Sequence, residues 1–246
     1  MKKKRADQLL VEKGVLSSRE KAKRHIMAGV VWYLKGKEWQ KVNKPGDQLP
    51  LDTDFKVKEK ERFVSRGGYK LLTALEYFKI QVLNKVCLDV GASTGGFTDC
   101  LLQFGAKRVY ALDVGQGQLD WKLRQDKRVV NLEKINIRYA SLDILPELVD
   151  LIVVDCSFIS LKLVLPSCIK FLKSQGEVIA LVKPQFEVGK GETVKGVVKS
   201  AQKIQEVLKA MEIFVTKDLK LRWIGMVPSK IKGPKGNQEY LIYLQR

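Results

Sequence analysis

Four short apolar runs in this 246-residue chain each end on one charged residue, and those charges are the side chains best placed to do chemistry. Val86-Cys-Leu stops at Asp89, Val109-Tyr-Ala-Leu at Asp113, Leu151-Ile-Val-Val at Asp155 and Val178-Ile-Ala-Leu-Val at Lys183. The first run leads directly into Gly91-Ala-Ser-Thr-Gly-Gly-Phe97, where Gly91, Gly95 and Gly96 permit a tight turn and a close backbone approach to a ligand. A helix opening near Gly96 aims its free amides at the same point. The spacing is not the Gly-x-Gly-x-x-Gly of dinucleotide enzymes, and an acid ahead of the first glycine repels a pyrophosphate. It suits a ligand that carries a cationic amino acid, such as S-adenosylmethionine (SAM). Asp113, about 20 residues after the glycine loop, is placed to accept the ribose hydroxyls of an adenosine ligand, which fits a nicotinamide dinucleotide as well as SAM. Asp155 and Lys183 discriminate, since adjacent strand ends set a carboxylate beside an ammonium, and Pro184 stiffens the backbone just after the lysine.

The only histidine is His25, which removes histidine-based triads and zinc sites with several imidazoles; no metal is expected. Proton chemistry falls to Lys, Asp, Glu, Tyr or water. The four cysteines, Cys87, Cys100, Cys156 and Cys168, lack Cys-x-x-Cys spacing and sit in apolar contexts, as small buried residues of a reducing compartment do. The start of the chain is positively charged but has no apolar core behind it, and no apolar run approaches the ~20 residues of a membrane span. A cytoplasmic address is the expectation.

The elements that must position the four charges alternate in type. The strand ends at Asp89 and Asp113 lie 24 residues apart and those at Asp155 and Lys183 28 apart, with Arg128–Leu132 as a further strand between, so the pattern predicts strand–helix–strand units and a parallel sheet covered by helices. The helices expected are Tyr69–Ile80, Phe97–Phe104, Gln116–Arg124, Ser160–Lys173 and Ala201–Glu212. Leu219–Val227 and Glu239–Leu244 read as an antiparallel pair closing the sheet.

Residues 1–60 are a different material. Forty-five basic against 27 acidic residues give the whole chain a net charge of +18, which points to a polyanion, nucleic acid ahead of anionic membrane. Nine basic and three acidic residues fall within 1–30. A helix over Ala6–Lys13, a second opening on Ser17 with Glu20 at capping-box spacing, and a small hairpin-rich sheet from Val30 to Val57 predict a compact basic module. Lys3, Lys4, Arg5, Arg19, Lys21, Lys23 and Arg24 are its candidate phosphate contacts. Trp32, Trp39 and Trp121 read as core. Residues 61–66 form a charged connector whose Phe63 and Val64 suggest docking.

Taken with Arg5-Ala-Asp-Gln-Leu-Leu, Ser17-Ser-Arg-Glu-Lys-Ala, Ser65-Arg-Gly-Gly-Tyr-Lys-Leu, Val154-Asp-Cys-Ser-Phe-Ile-Ser-Leu, Leu181-Val-Lys-Pro-Gln-Phe-Glu and Gly236-Asn-Gln-Glu, the layout resembles the TlyA (haemolysin A) family over essentially the whole chain. The resemblance implies an S-four-type RNA-binding domain at 1–60, and an FtsJ-like SAM-dependent methyltransferase domain at 67–246. That domain is expected to be a Rossmann-like α/β fold with a mostly parallel sheet and an antiparallel last strand. It also implies a Lys-Asp-Lys-Glu tetrad, matched here by Lys70, Asp155, Lys183 and Glu239, and 2′-O-methylation of ribosomal RNA or ribosomal subunits, typically at cytidine. The cofactor set is then Asp89, Gly91, Ser93, Gly95, Gly96, Phe97, Asp113 and Asp155. A ribose hydroxyl is a weak nucleophile and SAM an activated methyl donor, so alignment is the main task of such a site. Lys183 is either the base or, kept charged, the group that orients the hydroxyl and stabilises the oxyanion. Two other readings stand beside this one: a non-catalytic RNA-binding factor of ribosome assembly, and, after the family's older name, a membrane-active haemolysin.

Overall fold

The computed structural model describes residues 2–58, 62–189 and 191–246, which fall into two compact units, Met1–Arg62 and Phe63–Arg246. The first unit holds strands β1 (Lys3–Arg5), β2 (Val31–Lys35), β3 (Glu38–Lys41), β4 (Gln48–Pro50) and β5 (Phe55–Val57) with helices α1 (Ala6–Glu12) and α2 (Arg19–Met27). Strand β1 pairs antiparallel with β4, and β3-β2-β5 form a separate three-stranded sheet. Ala6, Leu9 and Leu10 of α1 meet Ala22 and Ile26 of α2 over Val31, Val42 and Leu49, the apolar faces that helical spacing sets up. Ser18, not Ser17, caps α2, accepting the Lys21 amide at 3.2 Å. Asp7 is fully buried and held by Arg5 (3.0 and 3.1 Å) and Arg19 (3.1 Å). Burial pushes its carboxyl up, and the two guanidiniums more than reverse that, holding it below the usual aspartate range.

The second unit is one seven-stranded sheet built from β6 (Val86–Val90), β7 (Arg108–Leu112), β8 (Val129–Leu132), β9 (Val149–Val154), β10 (Leu172–Val182), β11 (Arg222–Pro228) and β12 (Tyr240–Gln245). The order is β11-β12-β10-β9-β6-β7-β8; β6 to β10 pair in parallel and β12 runs antiparallel between β10 and β11. Helices α3 (Gly67–Phe78) and α4 (Gly96–Gln103) cover one face, on Cys87, Val109, Leu151 and Val153. On the other face, α6 (Leu161–Cys168) and α8 (Ala201–Ile213) pack on Leu88, Val90, Tyr110 and Ile152. Both faces are buried, which is why these strands read as continuous apolar runs. The short helices α5 (Trp121–Arg124) and α7 (Pro184–Glu187) complete the set.

Four expectations are corrected. The helix expected over Gln116–Arg124 shrinks to α5, because Gly115 and Gly117 donate their amides to the side chains of Asp113 and Glu133 and leave 113–120 as loop. The helix expected to reach Lys173 ends at Cys168, and Leu172 already opens β10. Trp39 and Trp121 are not core: they are 42% and 71% exposed, and Lys56 lies over the Trp39 ring. The second unit starts at Phe63 rather than Gly67. Phe63 is buried, its ring stands edge-on 5.0 Å from Tyr69, and the Val64 amide donates to Asp99 at 2.8 Å. Of the expected connector, Glu61 lies outside the described residues.

Candidate active site

Parallel strands in one sheet deliver their carboxyl ends to one edge, and helix N-termini return there. At that edge lies a cavity of about 680 Å³, lined by the glycine loop and by Lys70, Asp155, Lys183 and Glu239 together. The volume falls in the range of small-molecule sites.

Gly91 sits at φ +83°, and a Cβ there would lie 2.9 Å from the Asp155 carbonyl oxygen; the loop turns where the neighbouring strand ends, leaving no room for a side chain. At Gly96 a Cβ would meet the Gly68 amide nitrogen at 2.8 Å and Gly67 Cα at 3.1 Å. The N-termini of α3 and α4 thus touch backbone to backbone, and that contact is the physical content of the Arg-Gly-Gly-Tyr-Lys segment. It brings Lys70, on the first turn of α3, to the wall that Gly96 and Phe97 also form.

The tetrad residues form two ion pairs. Lys70 Nζ donates to Glu239 Oε2 at 2.6 Å, with Glu239 1% exposed and Lys70 8%. Lys183 Nζ lies 2.6 Å from Asp155 Oδ1 and donates to Ser157 Oγ at 2.8 Å. The contact with Asp155 is one of charge, without the alignment of a hydrogen bond, so Oδ1 keeps an unused acceptor direction. Gly233 makes room for the Glu239 carboxylate, which a Cβ there would approach to 2.6 Å.

The cofactor residues divide. Gly91, Ser93, Gly96, Phe97 and Asp155 line the cavity. Asp89 does not: it is fully buried beneath the loop, where Thr98 gives it a hydroxyl hydrogen bond at 2.6 Å and its backbone amide. A carboxylate against the first turn of α4 anchors that helix rather than facing a ligand. Burial pushes its carboxyl up to about 7, against the pull of Thr98. Gly95 also lies off the cavity wall, facing Leu119 and Leu123. Asp113 is half-buried and ties the loop to β7, accepting the Ser93 amide at 2.8 Å and the Gly115 amide at 2.7 Å. The candidate phosphate contacts in the first unit also divide. Lys4 pairs with Glu12, Arg5 and Arg19 with Asp7, and Lys23 with Glu20, while Lys3, Lys21 and Arg24 point into solvent.

Several cavity residues were not singled out from the sequence. Ser157 and Phe158 follow Asp155; Phe158 is 90% exposed at φ +63°, with its ring 5.1 Å from Phe186. Asn237 donates to the Gly196 carbonyl at 2.8 Å and accepts the Val198 amide at 3.1 Å. The signal for Ser157 and Phe158 was present, since both stand inside a motif already noted for Asp155. Among the described residues, the buried side-chain oxygens without a hydrogen-bond partner on this wall are Asp155 Oδ1 and Gln185 Oε1. Both are acceptors, so the fitting ligand brings N–H donors and positive charge, as the ammonium and sulfonium of SAM do.

Numbered from the glycine loop outward, the strand order is 3-2-1-4-5-7-6 with the seventh strand antiparallel, which with this loop defines a Rossmann-like methyltransferase fold. Residues 63–246 match the family model of FtsJ-like methyltransferases. The chain is 42% identical over 248 residues to the 16S/23S rRNA (cytidine-2′-O)-methyltransferase TlyA of Mycobacterium tuberculosis, covering 98% of this chain and 89% of that one. It is 41% identical over 241 residues to Hemolysin A of Brachyspira hyodysenteriae, covering 97% and 98%. A solved structure named as a hemolysin, from Streptococcus thermophilus, superposes with a TM-score of 0.74 at 45% identity, covering 100% of this chain and 89% of that one. The chain belongs to the FtsJ-like methyltransferase family, in the group that holds TlyA and Hemolysin A. Among the described residues, no helix is long and apolar enough to cross a membrane.

Proposed function

We propose that this chain transfers the methyl group of SAM to a ribose 2′-hydroxyl of ribosomal RNA, at cytidine. The observation that carries the reading is the convergence of two lysine–carboxylate pairs on one cavity beside the glycine loop. The TlyA relative named for this reaction supports the choice of substrate.

Gly91, Ser93, Gly96 and Phe97 would hold SAM, with Asp155 for its ammonium and Asp113 fixing Ser93 through its amide. Bound there, SAM would supply an activated methyl group for the ribose oxygen. The protein's own task is alignment and control of one proton. At Lys183 Nζ one bonding direction is taken by Ser157 while Asp155 pairs by charge alone, which leaves the nitrogen free to take or steer the proton of the ribose oxygen. Lys70 and Glu239 line the same cavity and, being nearly dry, keep water from the reacting oxygen. The exposed residues Lys3, Lys21 and Arg24 supply phosphate contacts that set affinity rather than chemistry.

The test is transfer of tritiated methyl from SAM to separated ribosomal subunits, followed by mapping of 2′-O-methylated riboses. Lys183→Met should lower the rate by about 1,000-fold or more while SAM affinity stays within about threefold, since one aligned proton-handling group is lost and the cofactor loop is untouched. No transfer to any subunit at saturating SAM would overturn the reading.

A further inference from the structure

We propose that Glu187 is a positioning residue for this reaction: it holds the loop that carries Asp155 and Ser157 in register with Lys183. It rests on the methyl-transfer reading for its kinetic test and on the geometry of the loop alone for its structural one.

The segments that follow β9 and β10 carry the reacting groups, and residues 155–160 between β9 and α6 have no regular structure of their own. Phe158 within them adopts φ +63°, a conformation rare for a bulky residue that persists only where the surroundings enforce it. The enforcement comes from one turn of helix. Lys183 immediately precedes α7 and Glu187 is its last residue, so one short turn carries both groups to the loop. Lys183 grips the start of the loop at Asp155 and Ser157. Phe186 meets Phe158 in the middle. Glu187 grips the end, with Oε2 accepting the Ser160 hydroxyl at 2.5 Å and Oε1 accepting the Leu161 amide at 2.8 Å.

Capping alone does not account for this arrangement. Ser160 already accepts the Lys162 amide at 3.1 Å and is the N-cap of α6. A carboxylate brought from the neighbouring strand end adds a second tie, and what it joins is the pair of segments whose spacing fixes the Lys183–Asp155–Ser157 contacts. The group does not line the cavity, so it acts through the loop and not on substrate.

The experiment measures kcat, KM for SAM and KM for ribosomal subunits in the full-length chain and in Glu187→Ala and Glu187→Gln. Loss of the clasp should lower kcat about 10- to 100-fold in the alanine variant, the scale of an ångström-level misplacement, with KM for SAM within about threefold. The glutamine variant keeps a carbonyl for the Leu161 amide and a polar partner for Ser160, and should recover to within about fivefold of the native kcat. Asp150→Asn is the stability control: it weakens a carboxylate that accepts the Val86 amide at 2.8 Å and the Lys173 ammonium, at the opposite ends of the strands, and should leave kcat unchanged. An alanine variant with native kcat, or a glutamine variant as slow as alanine, would overturn the proposal. A crystal structure of Glu187→Ala decides it independently. The Lys183–Ser157 contact should open beyond hydrogen-bonding distance, and a loop that stays in place refutes the clasp even if the native chain moves no methyl group.

Discussion

The Lys70–Glu239 pair allows the most quantitative prediction. Two opposite charges 2.6 Å apart attract by about 6 kcal/mol at an effective dielectric of ~20. Taking each ion out of water costs several kcal/mol, so the pair as a unit contributes about nothing to stability. Removing one partner forfeits the attraction and leaves the other charge buried. Lys70→Met should therefore cost about 3–5 kcal/mol, and Lys70→Met combined with Glu239→Gln less than about 2, a coupling of at least about 1–3 kcal/mol. With a urea slope near 2 kcal/mol/M, the single variant loses about 1.5–2.5 M in its unfolding midpoint and the double variant recovers most of it. Circular dichroism reports this well, because α3, α4, α6 and α8 all belong to the unit that holds the pair. If the double variant loses as much as Lys70→Met and Glu239→Gln lose separately, added together, the pair is not energetically coupled and the account of a dry, buried ion pair fails.

Asp89 gives the pH dependence. The unfolded chain releases this proton near ~3.9 and the folded chain near about 7, so between those values the folded state holds an extra proton and stability falls as pH rises, levelling above about 7. The change is at most on the order of 4 kcal/mol, and Asp89→Asn, which keeps an acceptor for Thr98, should flatten it in midpoint-against-pH measurements from pH 4.5 to 8. Gly91→Ala must seat a Cβ 2.9 Å from a backbone carbonyl at positive φ, so calorimetry should show SAM affinity weakened by about tenfold or more; native affinity would refute the tight-turn argument. Replacing Lys3, Lys21 and Arg24 by alanine should reduce the slope of log affinity for ribosomal RNA against log salt by about two to three, and an unchanged slope would clear these residues of phosphate contact.

Much of the catalytic unit was legible because a doubly covered parallel sheet writes itself as apolar runs, each closed by the residue that emerges at the ligand edge. Asp155 and Lys183 were found in that way. Asp89 misled for the same reason, since a strand-end acid reads alike whether it emerges or turns under the loop; its partner Thr98 is polar among buried neighbours and is visible only in retrospect. The residues over Gln116–Gln118 look helical by composition, but two amides committed to acidic side chains hold them as loop. The Asp155–Lys183 pairing followed from adjacent strand ends, but the other pairing did not. Lys70 and Glu239 stand 169 residues apart, and only the contact of α3 with α4 and the insertion of β12 between β10 and β11 bring them together.

That insertion has a consequence for folding. β12 follows β11 in sequence yet occupies an interior place in the sheet, and Glu239 immediately precedes it. Until β12 is in place, β10 and β11 lack their shared neighbour and Lys70 lacks its counter-charge. Closing this side of the sheet and pairing the buried lysine are therefore one event.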